Sequence, residues 1–288
     1  MSARPTDPAR PFRSVLYIPG ANERALEKAK GLAADAVIFD LEDAVSPEEK
    51  AGARAILAGV LREGDYGRRA RIVRVNGLDT PWGRDDIAAL AGLEIEALLI
   101  PKVGSAADVE AVAQLAPDVG LWAMMESPAG MLQAADIATH PRLTGMVMGT
   151  NDLAKDVGAR FRADRMPMLA SLQLCLLAAR AAGIVIVDGV YNAFRDEDGL
   201  RAECVQGRDM GFDGKTLIHP GQLAIANEVF APSCEEIDLA RRQIDAYETA
   251  RAEGRGVAVL DGRIVENLHA AAARQMLARA GAIAEMGC

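Results

Sequence analysis

The chain has 288 residues, half of them hydrophobic and a quarter charged, with a formal charge of −9 and a pI near 5.0. That length suits one large domain, or one domain with an appendage, and an α/β barrel takes about 250 residues. The negative charge argues against nucleic acid or an anionic membrane as a partner, so an anionic substrate has to be met by local basic residues.

The opening residues 1–12 are polar and proline-rich without an apolar core, and they read as a flexible arm rather than a signal peptide. From residue 13 short β-type runs recur in order: RSVLYIPG (13–20), AVIFDLED (36–43), RIVRVNG (71–77), ALLIPKV (97–103), LWAMMES (121–127), GMVMGTND (145–152), GIVIVDGV (183–190) and DGKTLIHP (213–220). Several are apolar at consecutive positions, as expected of parallel strands buried on both faces. Between them lie stretches such as NERALEKAKGLAA and MLASLQLCLLAARAA, with apolar residues at helical spacing. Eight such β-then-α units predict a (β/α)8 TIM barrel over residues 13–230. No GxGxxG follows the first strand, which weakens a dinucleotide-binding alternative.

The longest apolar stretch, Ser171 to Val187, is broken by Gln173, Arg180 and a glycine, and reads as a buried helix followed by a strand rather than a membrane span. Cys175, Cys204, Cys234 and Cys288 form no CxxC pair, which suits reduced thiols in a cytoplasmic protein. Residues 231–288 exceed what a barrel needs. They predict a helix with Ser233 as N-cap and Glu236 three residues on, a glycine-rich extended segment and an alanine-rich helix, together a C-terminal helical lid.

In a barrel of this kind the active site lies at the carboxyl ends of the strands. Here those ends carry Asp40, Glu42 and Asp43; Arg74 and Asn76; Lys102; Glu126; Asn151 and Asp152; Asp188; and His219. One strand-end charge is as often a solvated loop residue, but a whole ring converging on one mouth fits a site. Carboxylates dominate it, and the three histidines, His140, His219 and His269, show no HxxxH spacing. Any metal should therefore be a hard, oxygen-ligated ion, Mg²⁺ rather than Zn²⁺. Glu126 and Asp152, read as closing adjacent strands, would present two carboxylates to one point. Arg24 and Lys28 stand four apart and share a helix face, which alone suggests no more than a solvated surface.

The segments SVLYIPG, VIFDLEDAVSPEEKAGAR, RVNGLDTPWG, MMESPAG, GTNDLAKDVG, GFDGKTLIHPGQ and LDGRIVENL, in that order across nearly the whole chain, resemble the citrate lyase β-subunit-like (HpcH/HpaI) family. Within it the chain is most similar to the malyl-CoA lyase and (3S)-malyl-CoA thioesterase branch. The resemblance implies a TIM barrel with Mg²⁺, for which Mn²⁺ can substitute, held by Glu126 and Asp152. It implies that Arg74 engages the substrate's carboxylate or carbonyl, a task suited to a two-point guanidinium fork. It places Tyr17, Arg24, Lys28, Lys50 and Arg54 on the path of coenzyme A, and Ile218 and His219 near the acyl or pantetheine end. Asn151 and the backbone N–H groups of GTND would steady an oxyanion.

Lyases of the family carry an aspartate in a Met-(Ile/Val)-Asp lid motif, often closing over a neighbouring subunit. Here the stretch reads Ile264-Val265-Glu266, a carboxylate one methylene longer. That swap suits activation of water over carbon–carbon cleavage, with Glu266 as base. The activity implied is Mg²⁺-dependent hydrolysis of (3S)-malyl-CoA to malate and CoA by a homo-oligomer, a trimer or hexamer. The alternatives are a lyase releasing acetyl-CoA and a 2-oxoacid from malyl-CoA or citramalyl-CoA, a pyruvate aldolase without CoA, and a citrate lyase β-type subunit that works only in assembly.

Overall fold

The computed structural model describes residues 9–286. Eight strands follow one another in the chain: β1 Ser14–Pro19, β2 Ala36–Asp40, β3 Ala70–Arg74, β4 Ala97–Ile100, β5 Gly120–Met125, β6 Leu143–Met148, β7 Val185–Asp188 and β8 Gly214–Leu217. Every neighbouring pair is parallel, and β8 returns to pair with β1, so the sheet closes into a barrel. The helices between and after them are α1 Glu23–Ala29, α2 Lys50–Glu63, α3 Gly83–Leu90, α4 Ala106–Leu115, α5 Pro128–Leu132, α6 Ala134–Ala138, α7 Thr150–Val157, α8 Leu169–Ala182, α9 Glu197–Met210 and α10 Leu223–Phe230. This is a (β/α)8 barrel, as the strand runs predict.

Side chains of a strand alternate between its two faces, and here both faces are dry. Val15, Ile38, Ile72, Leu99, Trp122, Met124, Val147 and Val187 pack together as one buried cluster filling the barrel. The residues of opposite parity, among them Leu16, Phe39, Val73, Met125 and Leu217, join the larger cluster under the helices. Phe12, read from sequence as the end of a flexible arm, is instead buried, its ring 5.2 Å from that of Trp122. Gly145 makes room for Trp122, because a Cβ there would lie 2.4 Å from the indole. Residues 1–8 of the expected arm lie outside the described residues.

Contacts divide the chain at Phe230 and Ala231. The second unit holds α11 Cys234–Ala252, the two-stranded antiparallel pair β9 Ala258–Leu260 and β10 Arg263–Val265, and α12 Asn267–Glu285. Ser233 and Glu236 cap α11 reciprocally, at 2.7 and 3.2 Å, as their spacing indicates. The glycine-rich segment is a hairpin. Asp261 and Gly262 both have positive φ (50° and 75°), the geometry that Asp-Gly favours in a two-residue turn. No helix among the described residues is long and apolar enough to cross a membrane.

Candidate active site

Strand parity selects which polar residues enter the barrel. Continuing inward from Val15, Ile38, Ile72 and Met124, every second residue brings Tyr17, Asp40, Arg74 and Glu126 to the carboxyl-end layer. All four line one cavity of about 410 Å³, together with Asp43, Asn151, Asp152 and Ile218. The same parity sends Asp188 outward. It is a register partner of Lys215, and both are fully buried between the barrel and α9. There Lys215 Nζ donates to Gly189 O at 2.5 Å and Glu203 Oε1 at 2.6 Å, while Arg165 reaches Asp188 Oδ2 at 2.6 Å. Asp188 therefore leaves the ring proposed from strand ends and becomes part of a buried ion cluster.

Arg74 and Asp40 are register partners on neighbouring strands, and the guanidinium grips both carboxylate oxygens, Nε to Oδ1 at 2.8 Å and Nη2 to Oδ2 at 2.6 Å. Its third nitrogen, Nη1, lies 2.8 Å from Glu42 and 3.2 Å from Asp43. The Tyr17 ring sits 5.2 Å from the guanidinium carbon, adding a cation–π contact. The fork expected to meet substrate is thus already oriented, with Nη1 left to the buried Glu42 and the exposed Asp43. Burial raises the Glu42 carboxyl above the usual range, against the pull of Arg74 and with the push of Asp43. Burial also raises the Tyr17 phenol, so at neutral pH its hydroxyl is a donor and not a base. Its hydrogen-bond partner among the described residues is the Met124 sulfur, at 3.5 Å.

Glu126 is 3% exposed, and burial pushes its carboxyl up to about 7, opposed by the Lys102 N–H and Arg74 and supported by Glu42 and Asp152. One oxygen, Oε1, accepts the Lys102 N–H at 2.7 Å. Gly149 opens the space beside it: a Cβ there would lie 2.3 Å from Glu126 Cβ and 2.7 Å from Oε2. Asp152 does not close strand β6, which ends at Met148; it projects from the first turn of α7. Short though that shift is, it leaves Asp152 lining the same cavity as Glu126. Among the described residues no group of three His, Cys, Asp or Glu is placed to hold a metal. Two carboxylates lining one cavity, one of them buried, fit a hard divalent cation that takes its other ligands from water and substrate. The Gly149 N–H, counted with the GTND donors, is taken by Met125 O at 2.8 Å; those of Thr150, Asn151 and Asp152 open α7 and have no acceptor within the helix.

The other residues expected on the ligand path divide. Ile218 lines the cavity and is 41% exposed. The Asn151 amide lines it too, but exchanges hydrogen bonds with Asn192 at 2.7 and 3.2 Å. Arg24 and Lys28 are exposed on α1. Lys50 is buried, its ammonium held by Leu41 O and Glu42 O at 3.0 and 2.6 Å. Arg54 pairs with the fully buried Asp86 at 2.8 Å. Both basic groups thus brace the loop after β2 and the start of α3 instead of presenting free charge. His219 turns from the cavity to cap the following turn, its Nδ1 accepting the Gly221 N–H at 3.1 Å and its ring 4.9 Å from Phe194. Glu266 belongs to the second unit, where it is the exposed N-cap of α12 and donates its N–H to His269 Nδ1 at 3.0 Å.

Residues 13–220 match the family described as HpcH/HpaI aldolase/citrate lyase. The chain belongs to that family. Among HpcH/HpaI relatives, the (3S)-malyl-CoA thioesterase of Cereibacter sphaeroides is 70% identical over 279 residues, covering 97% of this chain and 98% of its own. The L-malyl-CoA/beta-methylmalyl-CoA lyase of the same species is 37% identical, covering 91% and 92%. A solved HpcH/HpaI-type structure, CitE from Mycobacterium tuberculosis in complex with magnesium, acetoacetate and coenzyme A, aligns with a TM-score of 0.79. It is 33% identical and covers 95% of this chain and 99% of that one. The chain is thus an HpcH/HpaI enzyme whose relatives act on CoA esters. The strand-end reading named Asp40 and Lys102 without giving either a role: Asp40 orients Arg74, and the Lys102 N–H holds Glu126.

Proposed function

We propose that this enzyme hydrolyses (3S)-malyl-CoA to malate and coenzyme A, with Mg²⁺ at Glu126 and Asp152. The observation that carries the reading is the 70% identity to a (3S)-malyl-CoA thioesterase over 97% of the chain. The cavity is consistent with it, since one arginine edge and two carboxylates suit an acyl group bearing a carboxylate and a hydroxyl. When bound, Mg²⁺ supplies the charge that draws those acyl oxygens in and polarises them. Arg74 Nη1, shared here between Glu42 and Asp43, exchanges the exposed Asp43 for an acyl oxygen, with Asp40 holding the guanidinium plane still. The first-turn N–H groups of α7 face developing negative charge, where a helix N-terminus favours it. The base is Glu266 of a neighbouring subunit, as the family resemblance implies, and it takes the proton from the attacking water. The water oxygen bonds to the thioester carbon, the C–S bond breaks, and the thiol sulfur leaves as CoA after gaining a proton.

The 37% identical lyase supports the second reading, carbon–carbon cleavage to acetyl-CoA and glyoxylate. Incubating purified enzyme with (3S)-malyl-CoA and Mg²⁺ while following free thiol, malate, acetyl-CoA and glyoxylate separates the two. Thiol and malate should rise together, one for one; acetyl-CoA and glyoxylate in their place would establish the lyase.

A further inference from the structure

Lys102 is one of three residues other than glycine with positive φ among the described residues, at 52°. It follows Pro101 directly after β4, where the left-handed region is unfavourable for any residue with a Cβ. Two contacts accompany that backbone. The Lys102 N–H is donated to Glu126 Oε1 at 2.7 Å, and the mostly exposed ammonium lies 3.4 Å from Glu42 Oε1. In an extended conformation the peptide N–H would point elsewhere, and the buried Glu126 would lose the hydrogen bond that Oε1 accepts. The Gly149 backbone approaches on the other side, where a Cβ would lie 2.3 Å from Glu126 Cβ.

We propose that Lys102 is a positioning residue: its left-handed backbone aims the peptide N–H at Glu126 Oε1 and so sets the carboxylate for the cation. Strained backbone concentrates where the surrounding structure makes use of it, and here its use is to fix one oxygen of a carboxylate and leave the other facing the cavity. The ammonium is secondary, tying the same turn to the Arg74 cluster through Glu42.

The inference rests on the cation reading above, and metal-free protein tests both. Mg²⁺ affinity is measured by calorimetry on EDTA-treated, dialysed wild type and on Lys102→Gly, Lys102→Met and Lys102→Val, with thermal melting as the check on folding. Glycine accepts this backbone freely and methionine keeps the stem without the charge, so both should bind Mg²⁺ within about threefold of wild type. Valine, branched at Cβ, resists positive φ and should bind at least tenfold more weakly, with turnover recovering at saturating Mg²⁺. Wild-type affinity in Lys102→Val overturns the proposal. So does a tenfold loss in Lys102→Gly or Lys102→Met, which would assign the effect to the ammonium. If Lys102→Val fails to fold, the glycine variant decides alone, retention of affinity supporting the proposal and tenfold loss overturning it. Wild type that binds no Mg²⁺ would refute the cation reading itself.

Discussion

The proposed function adds a second duty for Arg74 to its pairing with Asp40, and different substitutions divide the two. Replacement by lysine keeps a charge beside Asp40 but loses the fork and the Nη1 edge. It should lower kcat/KM by about 10²-fold while the protein stays folded. Alanine also strands a buried Asp40, which should cost about 3–5 kcal/mol in urea unfolding. Wild-type kinetics in Arg74→Lys would take Arg74 out of the site. Asp40, Arg74 and Glu126 were legible as polar strand ends and Tyr17 through the family resemblance, but that all four share the parity of the barrel's filling, and Asp188 does not, shows only once the strands are paired. Lys50 and Arg54 were not legible. What occupies them is a pair of backbone carbonyls and a buried Asp86 more than thirty residues away, partners that a linear pattern does not display. Asp152 moved from strand to helix for a related reason: GTND can end a strand or begin a helix, and only the register of β6 decides.

Among the elements, β7, β8 and α9 are joined by Lys215, whose ammonium has three acceptors and no exposure. Lys215→Met fills the space but leaves Asp188 and Glu203 short of a cation, so stability should fall by roughly 3–5 kcal/mol, read from denaturant midpoints. A loss under 1 kcal/mol would mean Arg165 suffices for the cluster. The eight strands were readable because each is a short apolar run ended by polar residues. The β9–β10 hairpin was read only as extended chain, although its Asp-Gly turn is the feature that makes it one. At the head of α12, Glu266→Gln keeps size and polarity while removing a base, and should reduce turnover about 10²-fold with Mg²⁺ affinity unchanged. Unaltered turnover would leave Glu266 as a helix cap and no more.

For the molecule as a whole, the proposed cation at Glu126 and Asp152 would bind the folded state alone, and stability would then become a function of Mg²⁺. At one hundred times its dissociation constant the ion should add about 2.7 kcal/mol, raising the melting temperature by roughly 5 °C or more. EDTA should reverse the rise, and Glu126→Gln with Asp152→Asn should abolish it; an equal rise in that double variant would place the ion elsewhere. The barrel was expected from the order of strands, and so was a separate C-terminal segment after residue 230, because eight β-then-α units are complete by that point. The clamp of Asp40 on Arg74 also bears on kinetics. Asp40, Glu42, Asp43, Glu126 and Asp152 surround the mouth with Arg74 and Lys102 as their counter-charges, so an anionic acyl group approaching empty enzyme meets its own sign. Arrival then has an order. Initial rates with Mg²⁺ varied against the ester should follow an obligatory sequence, cation before ester, and equilibrium dialysis should find the ester held far less well by EDTA-treated enzyme. Equal retention in both conditions would mean that the charge of the mouth does not govern entry.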